Sequence, residues 1–171
     1  MRKVLILDTS ILCVWLKVPG KETCGSGANT ITYDTVHTKI EEEVSKGTTF
    51  ILPIAAIIET GNHIAQSNGD RFAVASSLVD IINKTAEGTS PWAAFTVQSE
   101  LWKPNALKDL AIRWNRTVVA GQSLGDASIV DVANYYYKAG YDVEIYTGDE
   151  GLKSYEPLPR NNSQQPRRRR G

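Results

Sequence analysis

The sequence predicts an α/β domain with a mostly parallel sheet, and three observations carry that prediction. Val4-Leu5-Ile6-Leu7 is a continuous apolar run cut off by Asp8-Thr9-Ser10, the pattern of a central strand buried on both faces. Two further short runs, Thr49 to Leu52 and Asp142 to Tyr146, have strand character as well. Between them lie segments with helical spacing, and strands that alternate with helices build parallel sheets.

The elements follow in order. After the first strand, Ile11 to Leu16 suits a short helix. Pro19 to Asn29, with Gly20, Gly25 and Gly27 and little apolar content, reads as a loop long enough to act as a flap. Val36, Ile40 and Val44 repeat at helical spacing, so Asp34 to Lys46 is an amphipathic helix with Thr35 as its expected cap and Gly47 as its stop. Thr49 to Leu52 is closed by Pro53, and a helix from Ile54 to Gln66 carries Glu59. Asp70 to Thr85 forms another helix, with Phe72, Val79 and Ile82 expected on its apolar side. Ala94 to Val97 reads as a short strand and Val118-Val119 as a brief extended segment. Between those two, Ala106 to Asn115 is a helix with Leu107, Leu110, Ala111 and Trp114 at core spacing. The last helix opens at Gly125-Asp126 and runs through Ile129, Val130, Ala133 and Tyr137 to Lys138 before Gly140. Thr147-Gly148-Asp149 then stands at the carboxyl end of the final strand.

Composition and charge narrow the class. With 42% hydrophobic and 22% charged residues, the chain has the make-up of a globular domain and excludes a fibrous body. Nineteen basic groups balance 19 acidic ones, but Arg160 and Arg167 to Arg170 supply five of the positives, leaving residues 1–159 with 14 basic groups and a charge of −5. Residues 1–159 are therefore expected to form one domain and residues 160–171 a disordered basic tail. No apolar run approaches the roughly 20 residues that span a bilayer, so no membrane association is expected. Cys13 and Cys24 are too few for a disulfide framework or a four-ligand zinc site, which makes a reducing, cytoplasmic compartment the expectation.

Ligands of open α/β sheets gather at the carboxyl ends of strands. Asp8 and Asp149 fall there, Asp126 begins the helix before the last strand, and Glu59 lies about two turns into the helix after the second strand. Four carboxylates in one cleft call for a compensating hard cation such as Mg²⁺ or Mn²⁺. Each also has an ordinary alternative: Asp8 and Asp126 as helix caps, Asp149 as a turn residue, Glu59 as a solvated helix residue. Asp131, five positions after Asp126, is rotated off that helix face and reaches the cleft only from its rim or not at all.

Taken together, Val4 to Ser10, Glu59 after Phe50-Ile51-Leu52-Pro53, Gly125-Asp126-Ala127-Ser128-Ile129 and Ile145-Tyr146-Thr147-Gly148-Asp149 resemble the PIN-domain nucleases in identity, order and spacing. The resemblance spans about residues 3 to 152. It implies a three-layer α/β/α sandwich and a cytoplasmic endoribonuclease that hydrolyses RNA phosphodiesters with Mg²⁺ or Mn²⁺. By position, it makes Asp8, Glu59, Asp126 and Asp149 the catalytic set. Asp8, Asp126 and Asp149 would be metal ligands, Glu59 and Asp131 additional candidates for ligation, and Ser10 and Thr147 supporting hydroxyls. Toxin-type members further suggest the toxin of a toxin–antitoxin pair, with an inhibitory protein partner and a homodimer. The chain departs from compact members by extra length at Lys17 to Tyr33 and Ser90 to Pro104.

An acidic cleft needs nearby cations to hold RNA. Arg113, Arg116, Lys103, Lys108 and the tail arginines Arg167, Arg168, Arg169 and Arg170 are the candidates, each with a solvated-surface or partner-binding alternative. Tyr135, Tyr136, Tyr137, Trp102 and Trp114 are read mainly as packing residues, and His37 and His63 receive no role. Two rival readings stand beside the nuclease. One is a non-catalytic RNA- or protein-binding module of PIN-like fold. The other is a phosphatase similar to the haloacid dehalogenases, from which the chain departs at Ser10, where that family has a second aspartate.

Overall fold

The computed structural model describes residues 2–159, and the basic tail with Arg167 to Arg170 lies outside the described residues. The chain is an α/β protein, mostly helical, around a small three-stranded sheet. Strand β1 (Lys3–Leu7) is central, with β4 (Thr49–Ile51) on one side and β5 (Asp142–Tyr146) on the other, all parallel. Leu5 lies in register with both Phe50 and Glu144.

Alternation along β1 divides the core between the two faces of the sheet. Leu5 and Leu7 pack with Ile11, Leu12 and Val14 of α1 (Thr9–Trp15) and with Val36 and Ile40 of α2 (Tyr33–Ser45). Val4 and Ile6 face the other way, onto Ile129, Val132 and Ala133 of α6 (Leu124–Lys138). Val4, Leu5, Ile6 and Leu7 are all fully buried, and each such side chain contributes roughly 1.5–3 kcal/mol by leaving water. Helices on both faces are compatible with a three-layer sandwich.

Three more helices complete the body: α3 (Ile54–Gln66), α4 (Arg71–Glu87) and α5 (Pro104–Thr117), with a final single turn, α7 (Glu150–Lys153). Among the described residues no helix is long and apolar enough to cross a membrane.

Several expected details are corrected. The glycine-bearing loop contains a two-residue antiparallel hairpin, β2 (Thr23–Cys24) with β3 (Ile31–Thr32). Ala94 to Val97 is no strand: a 3₁₀ segment runs from Phe95 to Trp102, because the sheet edge beside Phe50 is already occupied by Pro91 to Ala93. Val118-Val119 is likewise a 3₁₀ turn, Val118–Ala120, with Gly121 closing it at φ +87°. Thr32 rather than Thr35 caps α2, its Oγ1 accepting from Thr35 N at 3.4 Å. In the same helix Val44 is exposed, and Glu43 is buried because Lys3 pairs with it at 2.7 Å. Helix α4 is rotated from its expected face: Leu78, Ile81 and Thr85 are buried, while Phe72 is 83% and Val79 52% exposed. In α5, Leu110 is buried but Leu107 is not.

Candidate functional site

The carboxyl end of the sheet is organised around Asp8. Its backbone N–H continues the ladder by donating to Tyr146 O at 3.1 Å, which holds Asp8 where β1 ends. The side chain caps α1, with Oδ2 accepting from Ser10 N at 3.3 Å, Ser10 Oγ at 2.7 Å and Thr147 Oγ1 at 2.8 Å. Thr147 Oγ1 accepts in turn from Asp149 N at 2.9 Å, and Ser10 Oγ from Gly148 N at 3.0 Å. One carboxylate oxygen and two hydroxyls thus tie the end of β1 to the end of β5. Such bonds fix a carboxylate rotamer that would otherwise rotate freely.

The other acids arrive from three elements. Asp149 caps α7 through Oδ1, which accepts from Leu152 N at 3.1 Å, and its side chain is otherwise exposed. Glu59 projects from α3, with Oε2 accepting from Thr9 Oγ1 at 3.0 Å. Its Oε1 stands so close to Gly125 that a Cβ there would lie 2.3 Å away. Asp126 is not the N-cap of α6, as one reading of the sequence had it. Ser123 is the cap, accepting from Asp126 N at 2.9 Å, while Asp126 Oδ2 accepts from Ser123 N at 3.4 Å in a reciprocal capping box.

Asp8, Glu59, Asp126 and Asp149 line one cavity of about 270 Å³. Burial pushes the Asp126 carboxyl above its ordinary range; the Ser123 hydrogen bonds oppose this, and the nearby Asp8 and Asp149 charges add to it. Among the described residues, no three His, Cys, Asp or Glu side chains converge closely enough to hold a metal ion as they stand. The donor chemistry nevertheless suits a hard divalent cation. Asp8 Oδ1, Asp126 Oδ1, Asp149 Oδ2 and Glu59 Oε1 make no hydrogen bond with the described residues, so each acid keeps one oxygen available. Holding a metal would require these side chains to draw closer.

The remaining candidates lie elsewhere. Asp131 and Arg113 form an ion pair at 2.5 Å and line a separate groove between α5 and α6, so neither is brought to the acids. Lys103 pairs with Glu100 at 2.6 Å, and neither Lys108 nor Arg116 lines the acidic cavity. Of the aromatics, Tyr136 is buried edge-on to Tyr135 and Tyr141, and Trp114 donates to Gln122 O at 3.0 Å.

Six lining residues were not singled out from the sequence as site residues: Thr9, Cys13, Lys21, Thr23, Cys24 and His63. For His63 a signal existed, because it follows Glu59 by four positions and so shares its helix face. Lys21 could not be placed beside the acids from the sequence, since nothing local shows where a loop folds. Burial pushes the Cys13 thiol up to about 11 and raises that of Cys24, which disfavours the thiolate form of both. No family model, curated protein or solved structure matches the chain.

Proposed function

We propose that the chain is a PIN-like, metal-dependent endoribonuclease that hydrolyses RNA phosphodiesters. The observation that carries this reading is the gathering of Asp8, Glu59, Asp126 and Asp149, from four separate segments, in one cavity at the carboxyl end of a parallel sheet. Helix-end hydrogen bonding explains Asp8 and Asp149 as caps and Asp126 as the third residue of a capping box, each singly. It does not explain why these three and Glu59 face a common space.

In this reading Asp8, Asp126 and Asp149 hold Mg²⁺ or Mn²⁺, with Glu59 as a further ligand or as the acceptor that orients the attacking water. The bound ion would supply an activated water at neutral pH and offset charge on the phosphate. Ser10 and Thr147 are positioning residues, since both hydroxyls donate to the Asp8 oxygen that faces away from its free one. Gly125 leaves the room that Glu59 occupies. Attack by water leaves a 5′-phosphate and a 3′-hydroxyl, with no part for the ribose 2′-hydroxyl. A cytoplasmic toxin held by an inhibitory partner, or a homodimer, belongs to the same reading.

The test is cleavage of RNA by purified protein with Mn²⁺. Asp126→Asn should lower the rate about 10²-fold, the loss expected when a carboxylate that holds the metal is removed, with an unchanged circular dichroism spectrum. Cleavage that persists in EDTA, or 2′,3′-cyclic phosphate ends, would contradict the mechanism. A second reading, a non-catalytic binding module of the same fold, is favoured by the lack of a closed ligand set among the described residues. Mn²⁺ should raise the melting temperature of the wild type and not of Asp8→Asn if the metal reading holds; equal melting with and without Mn²⁺ favours the binding module.

A further inference from the structure

The acidic cavity carries two basic side chains that the proposed chemistry does not use. Among the described residues Lys21 and His63 are the only basic groups lining it, beside four carboxylates. A polyanionic strand entering such a cavity meets repulsion unless cations on its wall compensate. Helix α5 and the lysine before it do not supply them: Arg113 is held by Asp131, Lys103 by Glu100, and neither Lys108 nor Arg116 lines the cavity.

Lys21 sits in the turn between α1 and β2. Its N–H donates to Val18 O at 2.9 Å, and Gly20 takes the left-handed conformation, φ +83°, that the turn requires. The adjacent acid, Glu22, is folded back on the turn and accepts from Gly20 N at 2.8 Å. It is thereby engaged with backbone instead of with Lys21. The Lys21 ammonium, which is exposed, makes no hydrogen bond or ion pair with any described residue, and neither does the half-buried His63 ring. His63 stands one helical turn, about 5–6 Å, from Glu59 on α3. Imidazole offers a ring N–H donor in either protonation state, and Lys21 offers a charge with three donors.

We infer that Lys21 and His63 form the phosphate-binding wall of this cavity, contacting non-bridging oxygens of the RNA backbone beside the scissile bond. The inference rests on the ribonuclease reading for its substrate. It assigns strand binding to the glycine-bearing segment after α1 and to the face of α3 that also carries Glu59, and away from α5. Both contacts are to the backbone, so they bind different RNA sequences alike.

The experiment is a titration of a short fluorescein-labelled single-stranded RNA with the full chain, read by anisotropy with Ca²⁺ under conditions where the strand stays intact. Lys21→Gln and His63→Gln should each weaken binding about threefold or more, and Lys21→Gln should reduce the salt slope by about 0.7, the value for one lost contact to a single strand. Lys21→Arg should retain binding. Lys84→Gln removes the same charge from a lysine that pairs with Asp80 and does not line the cavity, and it should change nothing. Wild-type affinity in the Lys21 and His63 variants, an equal loss in Lys84→Gln, or no binding by the wild type would each overturn the inference. Cleavage by the wild type with Mn²⁺, measured in parallel, separates the two claims. A wild type that cuts RNA while the variants bind normally sinks only the wall. A wild type that never cuts, with variants that bind weakly, sinks the ribonuclease and leaves the wall standing.

Discussion

Two glycines near the acids behave differently because of what stands beside them. A Cβ at Gly148 would meet Cys24 Sγ and Gly25 N at 2.7 Å, so part of the obstruction is backbone and the β2–β3 hairpin would have to move. Gly148→Ala should therefore cost about 1–3 kcal/mol, the usual range for overpacking, measurable by urea denaturation. At Gly125 the obstruction is Glu59 Oε1, the end of a flexible side chain that can swing aside. Gly125→Ala should leave stability unchanged or raise it by up to about 1 kcal/mol, since alanine suits a helix better. On the proposed chemistry, RNA cleavage should nevertheless fall because Glu59 is displaced. Equal loss of stability in both variants would show that the Glu59 side chain is held rigidly. From the sequence these glycines were only letters within motifs; the reason for each lies in a residue more than 60 positions away.

At the scale of elements, α6 and α4 show how a local pattern reads well or badly. The capping box of α6 is local in sequence, and its loss is correspondingly simple. Ser123→Ala should cost about 1 kcal/mol in thermal or urea unfolding, because the Asp126 N–H loses the hydroxyl that accepts from it while the backbone N–H at 123 still donates to Asp126 Oδ2. Helix α4 has apolar residues on more than one side, so periodicity alone left its phase open. Leu78, 6% exposed, packs with Cys13, Val18 and Ile64, whereas Phe72 faces solvent. Leu78→Ala should destabilise by about 2–5 kcal/mol, and Phe72→Ala should stay within about 0.5 kcal/mol. The reverse order in a denaturation series would contradict the packing. Ala94 to Val97 failed as a strand for a related reason: β-forming residues make a strand only where a sheet edge is free, and Pro91 to Ala93 already hold it.

At the scale of the whole molecule, the end of the sheet opposite Asp8 is clamped by charge. Lys3 bridges Glu43 and Glu144 at 2.7 Å each, Lys39 reaches Glu144 at 2.7 Å, and Thr48 Oγ1 donates to Glu43 at 2.5 Å. Burial works against all three charges, but the Lys3 and Thr48 hydrogen bonds lower Glu43, those of Lys3 and Lys39 lower Glu144, and the two glutamates raise Lys3. A depressed carboxyl gives stability that is present above its unfolded value, about 4.3, and is lost as pH falls through the folded value. A raised lysine gives stability that is present below about 10.4 and is lost as pH rises through its folded value. The melting temperature should therefore drop below about pH 4.3, and Glu144→Gln should lower it at neutral pH while converging on the wild type in acid. A constant gap down to low pH would show that Glu144 acts through packing alone. The sequence by itself determined the alternation of strands and helices, the central place of Val4 to Leu7, and the positions of Asp8, Asp126 and Asp149 at element ends with Glu59 inside a helix, because these depend on local periodicity and on where apolar runs stop. Only the tertiary structure decided that Asp131 pairs with Arg113, that α4 turns Leu78 inward, and that Lys21 and His63 enter the acidic cavity. Those outcomes depend on which surfaces meet across long chain separations, and no short stretch of sequence contains that information.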